Sequence, residues 1–359
     1  MVEGRRDAAA KDAGSMETDA LTAHLDRGWD LLGRGQLTEA RISANQILSI
    51  DEDAPEGHAL LGAICAAEGE AEEALEHFQH AIDVEPDYID AVLYAADLAI
   101  HPMQDFELAL RFCGQADALA ESAEERFDVD LLRAEALWGA NRVAEARSVA
   151  QRLLPLPHGD SAHCVRVARL LIDVEFADEA IPLLRSAATS PEYAEDAQYY
   201  LGIAYEMLGN YQAALDSFVE ARKAAAVVEH PDWLPNADAL RRLLNKVAVQ
   251  LGQPLAGLAE AAIHLSECPP IELIVEGLDP RALVFLSGAA AGSEAARLNV
   301  VFVYLGNLGR FARCEREARR ELYRSLLLEL AAFYQLDAEL VESLVGRGCQ
   351  GEDEDCADQ

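Results

Sequence analysis

Two stretches far apart in the chain share one spacing, and that spacing limits the fold more than any other feature. "LLGAICAAEGEAEEALEHFQHAIDVEP" runs from Leu60 to Pro86, and "YLGIAYEMLGNYQAALDSFVEARKAA" from Tyr200 to Ala225. Both place small or aromatic residues at the same stations: Gly62, Gly69, Ala74, Phe78 and Ala81 in one, Gly202, Gly209, Ala214, Phe218 and Ala221 in the other. The spacing predicts a pair of packed helices in each stretch. Gly62 and Ala74 let the two helices approach closely, Phe78 fills the gap to the next pair, and Gly69 sits in the turn, where a missing Cβ removes the penalty for unusual backbone angles. Weaker copies keep the frame. Gly28 and Ala40 lie 34 residues before Gly62 and Ala74, and Ala109, Ala146 and Ala180 continue the second-helix station. Internal periods of this length are the mark of a solenoid.

The stations resemble those of the tetratricopeptide (TPR) repeat, including Pro86 after the first copy and Tyr205 and Tyr211 in the second. About six helix pairs are expected between about residues 20 and 225. The resemblance implies an interaction surface, because each repeat touches only its neighbours and leaves a long concave face open. On the first helix of each pair the groove-facing positions carry Trp29, Asp97, Glu135, Trp138, Arg169, Tyr199, Ile203 and Met207. Trp29 and Trp138 either pack between helices or anchor a peptide. The groove offers one cation, Arg169, so it lacks the Lys, Arg and Asn cluster with which TPR domains clamp a terminal carboxylate.

After "EHPDWLPNAD" (Glu229 to Asp238) the frame stops, and two prolines mark a boundary. A helix is expected over Ala237 to Leu251, a strand over "NVVFVYLG" (Asn299 to Gly306), an Arg-rich helix over Phe311 to Arg324, and an apolar helix over "SLLLELAAFYQLD" (Ser325 to Asp337). The segment from about Leu265 to Leu344 resembles a family of small zincin-like metallopeptidase domains through "PPIELIVEGLDP", Gly288, "VVFVYLGNLGR" and "EREARRELYRSLLLEL". That family carries HExxH on its last helix, followed by an Asp. Here those positions read Leu328, Glu329, Leu330, Ala331 and Ala332, with Asp337 beyond. HExxH works because residues i and i+4 share a helical face and present two imidazoles to one zinc. Leu328 and Ala332 have no lone pair to give, and no histidine follows His264. The expectation is a pseudoenzyme with Glu329 as a remnant, Asp337 as a vestigial ligand or helix N-cap, no metal and no cofactor, and Leu328 and Ala332 packed in a core.

The predicted architecture is therefore mostly α: residues 1–18 disordered, a TPR-like solenoid over 19–228, a linker at 229–238, a degenerate zincin-like α+β domain over 239–348, and a disordered acidic tail at 349–359. A formal charge of −35, with lysines only at 11, 223 and 246, excludes nucleic acid and anionic membranes as partners. It favours a basic or apolar protein or peptide. Seven scattered cysteines fit reduced thiols, and no run is long enough to span a membrane, so a cytoplasmic location is expected. On Arg310, Arg313, Arg316, Arg320 and Arg324, the reading divides between a solvated surface and a stripe that docks an acidic partner or the chain's own acidic solenoid. "HGDSAHC" (His158 to Cys164) most simply ends one helix and caps the next. The function expected is a non-catalytic adaptor, the alternative a metallopeptidase whose metal site is atypical or completed by a partner.

Overall fold

Every helix pair turns on one residue in the left-handed region, and three of those six residues are not glycine. The computed structural model describes residues 20–154, 160–225, 234–251, 257–258, 260–289, 297–312 and 315–336. The 1–18 and 349–359 segments, residues 229–233 of the 229–238 linker and Asp337 lie outside them. Twelve helices form the six pairs: α1 (20–33) with α2 (Leu37–Ile50), α3 (Pro55–Glu68) with α4 (Ala71–Val84), α5 (Ile89–Ile100) with α6 (Phe106–Leu119), α7 (Ala123–Gly139) with α8 (Val143–Ala150), α9 (Ser161–Asp173) with α10 (Ala177–Ala187), and α11 (Ala194–Met207) with α12 (Tyr211–Ala225).

The turns within these pairs hold Gly35, Gly69, Gln104, Asn141, Glu175 and Gly209, with φ between 54° and 85°. Five of them close through an N–H reaching back five residues: Gln36 to Leu31, Glu70 to Cys65, Arg142 to Leu137, Phe176 to Leu171 and Asn210 to Tyr205. This is the Schellman closure, which satisfies the orphan carbonyls of a helix end. A side chain in this conformation costs roughly 1–2 kcal/mol, least for Asn. Gln104→Gly is therefore expected to stabilise the protein by about 1 kcal/mol, less Gly's own entropy cost, read as a raised midpoint in urea denaturation.

The close approach expected at the glycine stations is present. A Cβ on Gly62 would lie 2.6 Å from the Phe78 ring, and one on Gly202 would overlap Phe218. Phe78 thus fills its own pair first, and its ring also stacks on Tyr94 of the following pair at 5.7 Å between centroids. α7 starts where a capping box forces it: Ser122 Oγ accepts from the Glu125 N–H, while the Glu125 carboxylate accepts from the Ser122 and Glu121 N–H groups. Those backbone donors hold the Glu125 carboxyl below its ordinary range.

The chain divides into two compact units, residues 1–158 with 169–179 and residues 159–168 with 180–359. The first has two apolar clusters, one around Ala44, Ile47, Leu60 and Ile64, the other around Phe78, Val92, Phe112 and Val129. Asp160 accepts from the His163 N–H and so starts α9, the capping role read into "HGDSAHC"; His158 and Gly159 lie outside the described residues.

In the second unit, α11 and α12 are joined by α13 (Ala237–Leu251), β1 (Ala262–Ser266), α14 (Ile271–Val275), β2 (Val284–Ala289), β3 (Arg297–Tyr304), α15 (Leu305–Phe311) and α16 (Glu315–Tyr334). β3 is central, parallel to β1 and antiparallel to β2, with Val301 opposite Ile263 and Leu286. The ladder slips between Ser287 and Gly288, where a Cβ on Gly288 would strike the Arg297 carbonyl. Val284, Leu286, Leu298, Val301 and Val303 bury one face in a core with α13 and α16; on the other, His264 stacks on Phe302 and Phe285 packs against it at a tilt.

Two expectations change here. The strand ends at Tyr304, because the Gly306 N–H donates to the Glu267 carbonyl and the chain turns into α15. The Arg-rich and apolar segments form one helix, α16, whose buried stripe is Leu322, Leu326, Leu327, Leu330 and Ala331. Leu328 is 45% exposed and Ala332 is also exposed, so neither packs in the core. The cause is helical phase: Leu328 and Ala332, at i and i+4, share a face of α16 that is turned away from its buried stripe.

Candidate functional site

In the first unit, the ends of three first helices, α5, α7 and α9, converge on a cavity of about 180 Å³ lined by Ile100, His101, Gln104, Phe106, Glu135, Trp138, Gly139, Arg169, Leu170 and Asp173. Its shape follows from local sequence. α7 carries Glu135 and Trp138 one turn apart, and a Cβ on Gly139 would overlap the Phe106 ring, so the glycine lets that ring form the wall. Glu135 is 7% exposed while Trp138 is 44% exposed, an acid at the floor and an aromatic at the rim. His101 Nε2 stands 3.6 Å from both Asp97 Oδ1 and Glu135 Oε2. Burial pushes the Asp173 carboxyl up, Arg169 draws it down, and the charge of Glu135 adds to the rise. Three carboxylates (Asp97, Glu135, Asp173) therefore face one guanidinium and one imidazole, which leaves an excess of negative charge.

The volume decides what this cavity can take. Small-molecule sites usually run to about 300–1,000 Å³, and one water takes about 30 Å³. A space of about 180 Å³ suits a single long side chain from an extended partner.

Of the eight groove positions read from the sequence, the structure brings Asp97, Glu135, Trp138 and Arg169 to this one place, with His101 and Asp173 added. Trp29 lies elsewhere in the unit, half-buried and stacked on Tyr94 at 5.6 Å. In the second unit, Ile203 is half-buried and Met207 is 49% exposed. Tyr199 is engaged within the chain. The Arg281 guanidinium lies 3.9 Å above its ring, and its hydroxyl donates to Asp279 Oδ2 at 3.2 Å. Burial first, then the Asp279 charge, pushes the Tyr199 phenol up. Arg281 also forks onto Glu195 at 2.8 and 3.1 Å and pairs with Asp196, while Arg310 reaches Glu195 as well. Arg310 thus docks on an acid of α11, one of the two roles read for the Arg series. His101, Asp173 and Arg281 were missed. His101 and Asp173 each lie one helical turn beyond a named residue, Asp97 and Arg169, so the i, i+4 rule finds both.

On α16, Glu329 lies on the exposed side of the helix, and partial desolvation of its carboxyl holds it above the ordinary range. No helix among the described residues is long and apolar enough to cross a membrane.

Residues 25–98 and 167–227 match the tetratricopeptide repeat family. Over those residues the helix pairs carry the tetratricopeptide repeat pattern. No curated protein sequence matches the chain. Among solved structures it is similar to PilW, a type IV pilus biogenesis factor, at 14% identity over 58% of this chain and 95% of that one, with a TM-score of 0.49. Pseudomonas aeruginosa PilF gives 16% identity, 59% and 95% coverage and 0.46. A tetratricopeptide repeat protein from Parabacteroides merdae gives 13%, 92% and 99%, and 0.41.

Proposed function

We propose that the protein is a non-catalytic interaction scaffold that takes a basic side chain of a protein or peptide partner into the cavity between Glu135 and Trp138. The carrying observation is the pairing of a buried carboxylate with a half-exposed aromatic in a space the size of one side chain. A guanidinium or ammonium gains from both, through charge-assisted hydrogen bonds to carboxylate and through the ring face. The chain supplies its own example of this chemistry in Arg281, held by Glu195 and Asp196 against Tyr199. The acidity of the whole molecule steers a basic partner towards it.

A Trp138→Ala, Glu135→Gln protein is expected to lose at least tenfold in affinity for a partner co-purified with the wild type, as truncated interface anchors do. Acetyl-arginine amide is expected to shift the Trp138 indole resonance, with an affinity in the millimolar range, roughly 4 kcal/mol. Acetyl-norleucine amide is expected to leave it unmoved. Equal response to the two amides, or full retention of the partner by the variant, would overturn the reading.

The second unit serves in this proposal as a further docking surface, a degenerate zincin-like domain whose outward face carries Leu328 beside Glu329. The four described cysteines are free thiols, which supports a cytoplasmic location. The rival reading keeps a metallopeptidase completed by a partner, and the raised Glu329 carboxyl favours it as a general base. Zinc-dependent peptide hydrolysis abolished by Glu329→Gln would establish that rival.

A further inference from the structure

The first unit also holds a cluster of metal-ligating side chains apart from this cavity. Cys65 Sγ on α3, with a Glu73 carboxylate oxygen and a ring nitrogen of His77 on α4, lie within 4.8 Å of one another. Glu73 and His77 are four residues apart and so share a face of α4, Cys65 is buried, and Glu73 is exposed, which gives a way in from solvent.

The hydrogen bonds behind His77 set its tautomer. His58 Nε2 is 3.1 Å from the Glu52 carbonyl, which can only accept, so that nitrogen carries the proton. Neutral His58 then presents a bare Nδ1, and at 3.2 Å from it His77 Nδ1 must be the donor. His77 is left with its lone pair on Nε2. A carbonyl–imidazole relay of this kind is what orients ligating histidines in metal sites. His80 packs against His58 at 3.9 Å between centroids, with the rings tilted by 47°, and backs the relay. On the far side of Cys65, Arg41 Nη2 lies 3.5 Å from Sγ and donates to Glu68; burial pushes the Cys65 thiol up and Arg41 offsets only part of that, so binding an ion there releases the thiol proton.

We infer that Cys65, Glu73 and His77 bind a borderline-soft divalent ion of the zinc class, with His58 as the hydrogen-bonded support of His77 and the fourth position open to water. The donor set of thiolate, imidazole and carboxylate is one zinc accepts, and soft sulfur selects it against magnesium or calcium. Bond lengths of about 2.0–2.3 Å put tetrahedral ligand atoms roughly 3.3–3.6 Å apart, so closing the site takes a movement of about 1 Å. Cys65 thiolate and Glu73 together neutralise the ion, and Arg41 stays paired with Glu68 and with Glu70 at 3.7 Å. Neither the peptide reading nor the α16 motif is needed for this site.

The test uses the full chain in a Cys349→Ser, Cys356→Ser background, which removes the tail thiols, stripped with chelator and titrated with Co²⁺. A thiolate-to-cobalt charge-transfer band is expected, displaced by zinc and absent in Cys65→Ser. Glu73→Gln, at an exposed helix position that leaves folding untouched, is expected to weaken zinc binding at least tenfold in calorimetry. His58→Leu is expected to weaken it about 10–100-fold through the lost support. No charge-transfer band, a band that survives Cys65→Ser, or unchanged affinity in Glu73→Gln would overturn the site.

Discussion

An Arg281→Ala protein is expected to lose about 3 kcal/mol of stability, with hydrogen exchange locating the loss in α11 and the 278–283 segment. Arg281 and Glu195 each keep only 13% of their side-chain surface in water. Removing one partner of a buried pair leaves the other charge desolvated and unpaired, which costs about 3–5 kcal/mol. Arg310 still reaches Glu195 and moderates the cost, while the lost stacking on Tyr199 adds to it. Arg281→Lys is expected to recover only part of the loss, because an ammonium cannot fork onto Glu195 and lie flat on a ring at once. Being buried, the pairing resists screening, so about 1 M salt should leave most of the difference in place. A loss under about 0.5 kcal/mol for Arg281→Ala, the usual range of a surface change, would show that the cluster is a solvated one.

The second large effect is expected at the Gly62–Phe78 contact. Phe78→Ala removes a ring that is 2% exposed and leaves a cavity, for a cost of about 3–5 kcal/mol. Gly62→Ala is the more informative change, since two effects oppose. Helix propensity favours Ala over Gly by about 1 kcal/mol. A Cβ placed 2.6 Å from a fixed ring forces α3 and α4 apart, at about 1–3 kcal/mol. Overpacking wins, so urea denaturation should show net destabilisation of up to about 2 kcal/mol. Phe78→Leu in the same chain should relieve the crowding, giving a coupling energy that separate sites would not show. A Gly62→Ala protein more stable than wild type would mean that the ring moves freely aside.

The repeat stations, the glycine turns at Gly69 and Gly209 and the course of α13 were legible in the sequence. Each is a local matter: a helix pair needs small residues at fixed intervals and a left-handed residue in its turn, whatever the rest of the chain does. Gln104, Asn141 and Glu175 were not legible as turn residues, because the neighbouring helices hold them in a conformation they do not prefer. Of the groove, sequence periodicity named positions on the first helices and nothing about which of them meet. Only the folded first unit set Glu135, Trp138 and Arg169 around one cavity and left Trp29 stacked on Tyr94 away from it. Likewise Tyr199 had the look of an open anchor until the chain returned 82 residues later to lay Arg281 on it.

The sequence by itself thus determined the helix pairs, their period and the acidic character of the surface, since these depend on nearest neighbours and on composition. The tertiary structure decided which acids face one another, that Leu328 and Ala332 point outward, and how β1, β2 and β3 pair. Those outcomes depend on helical phase and on contacts between residues far apart along the chain, which no local pattern encodes.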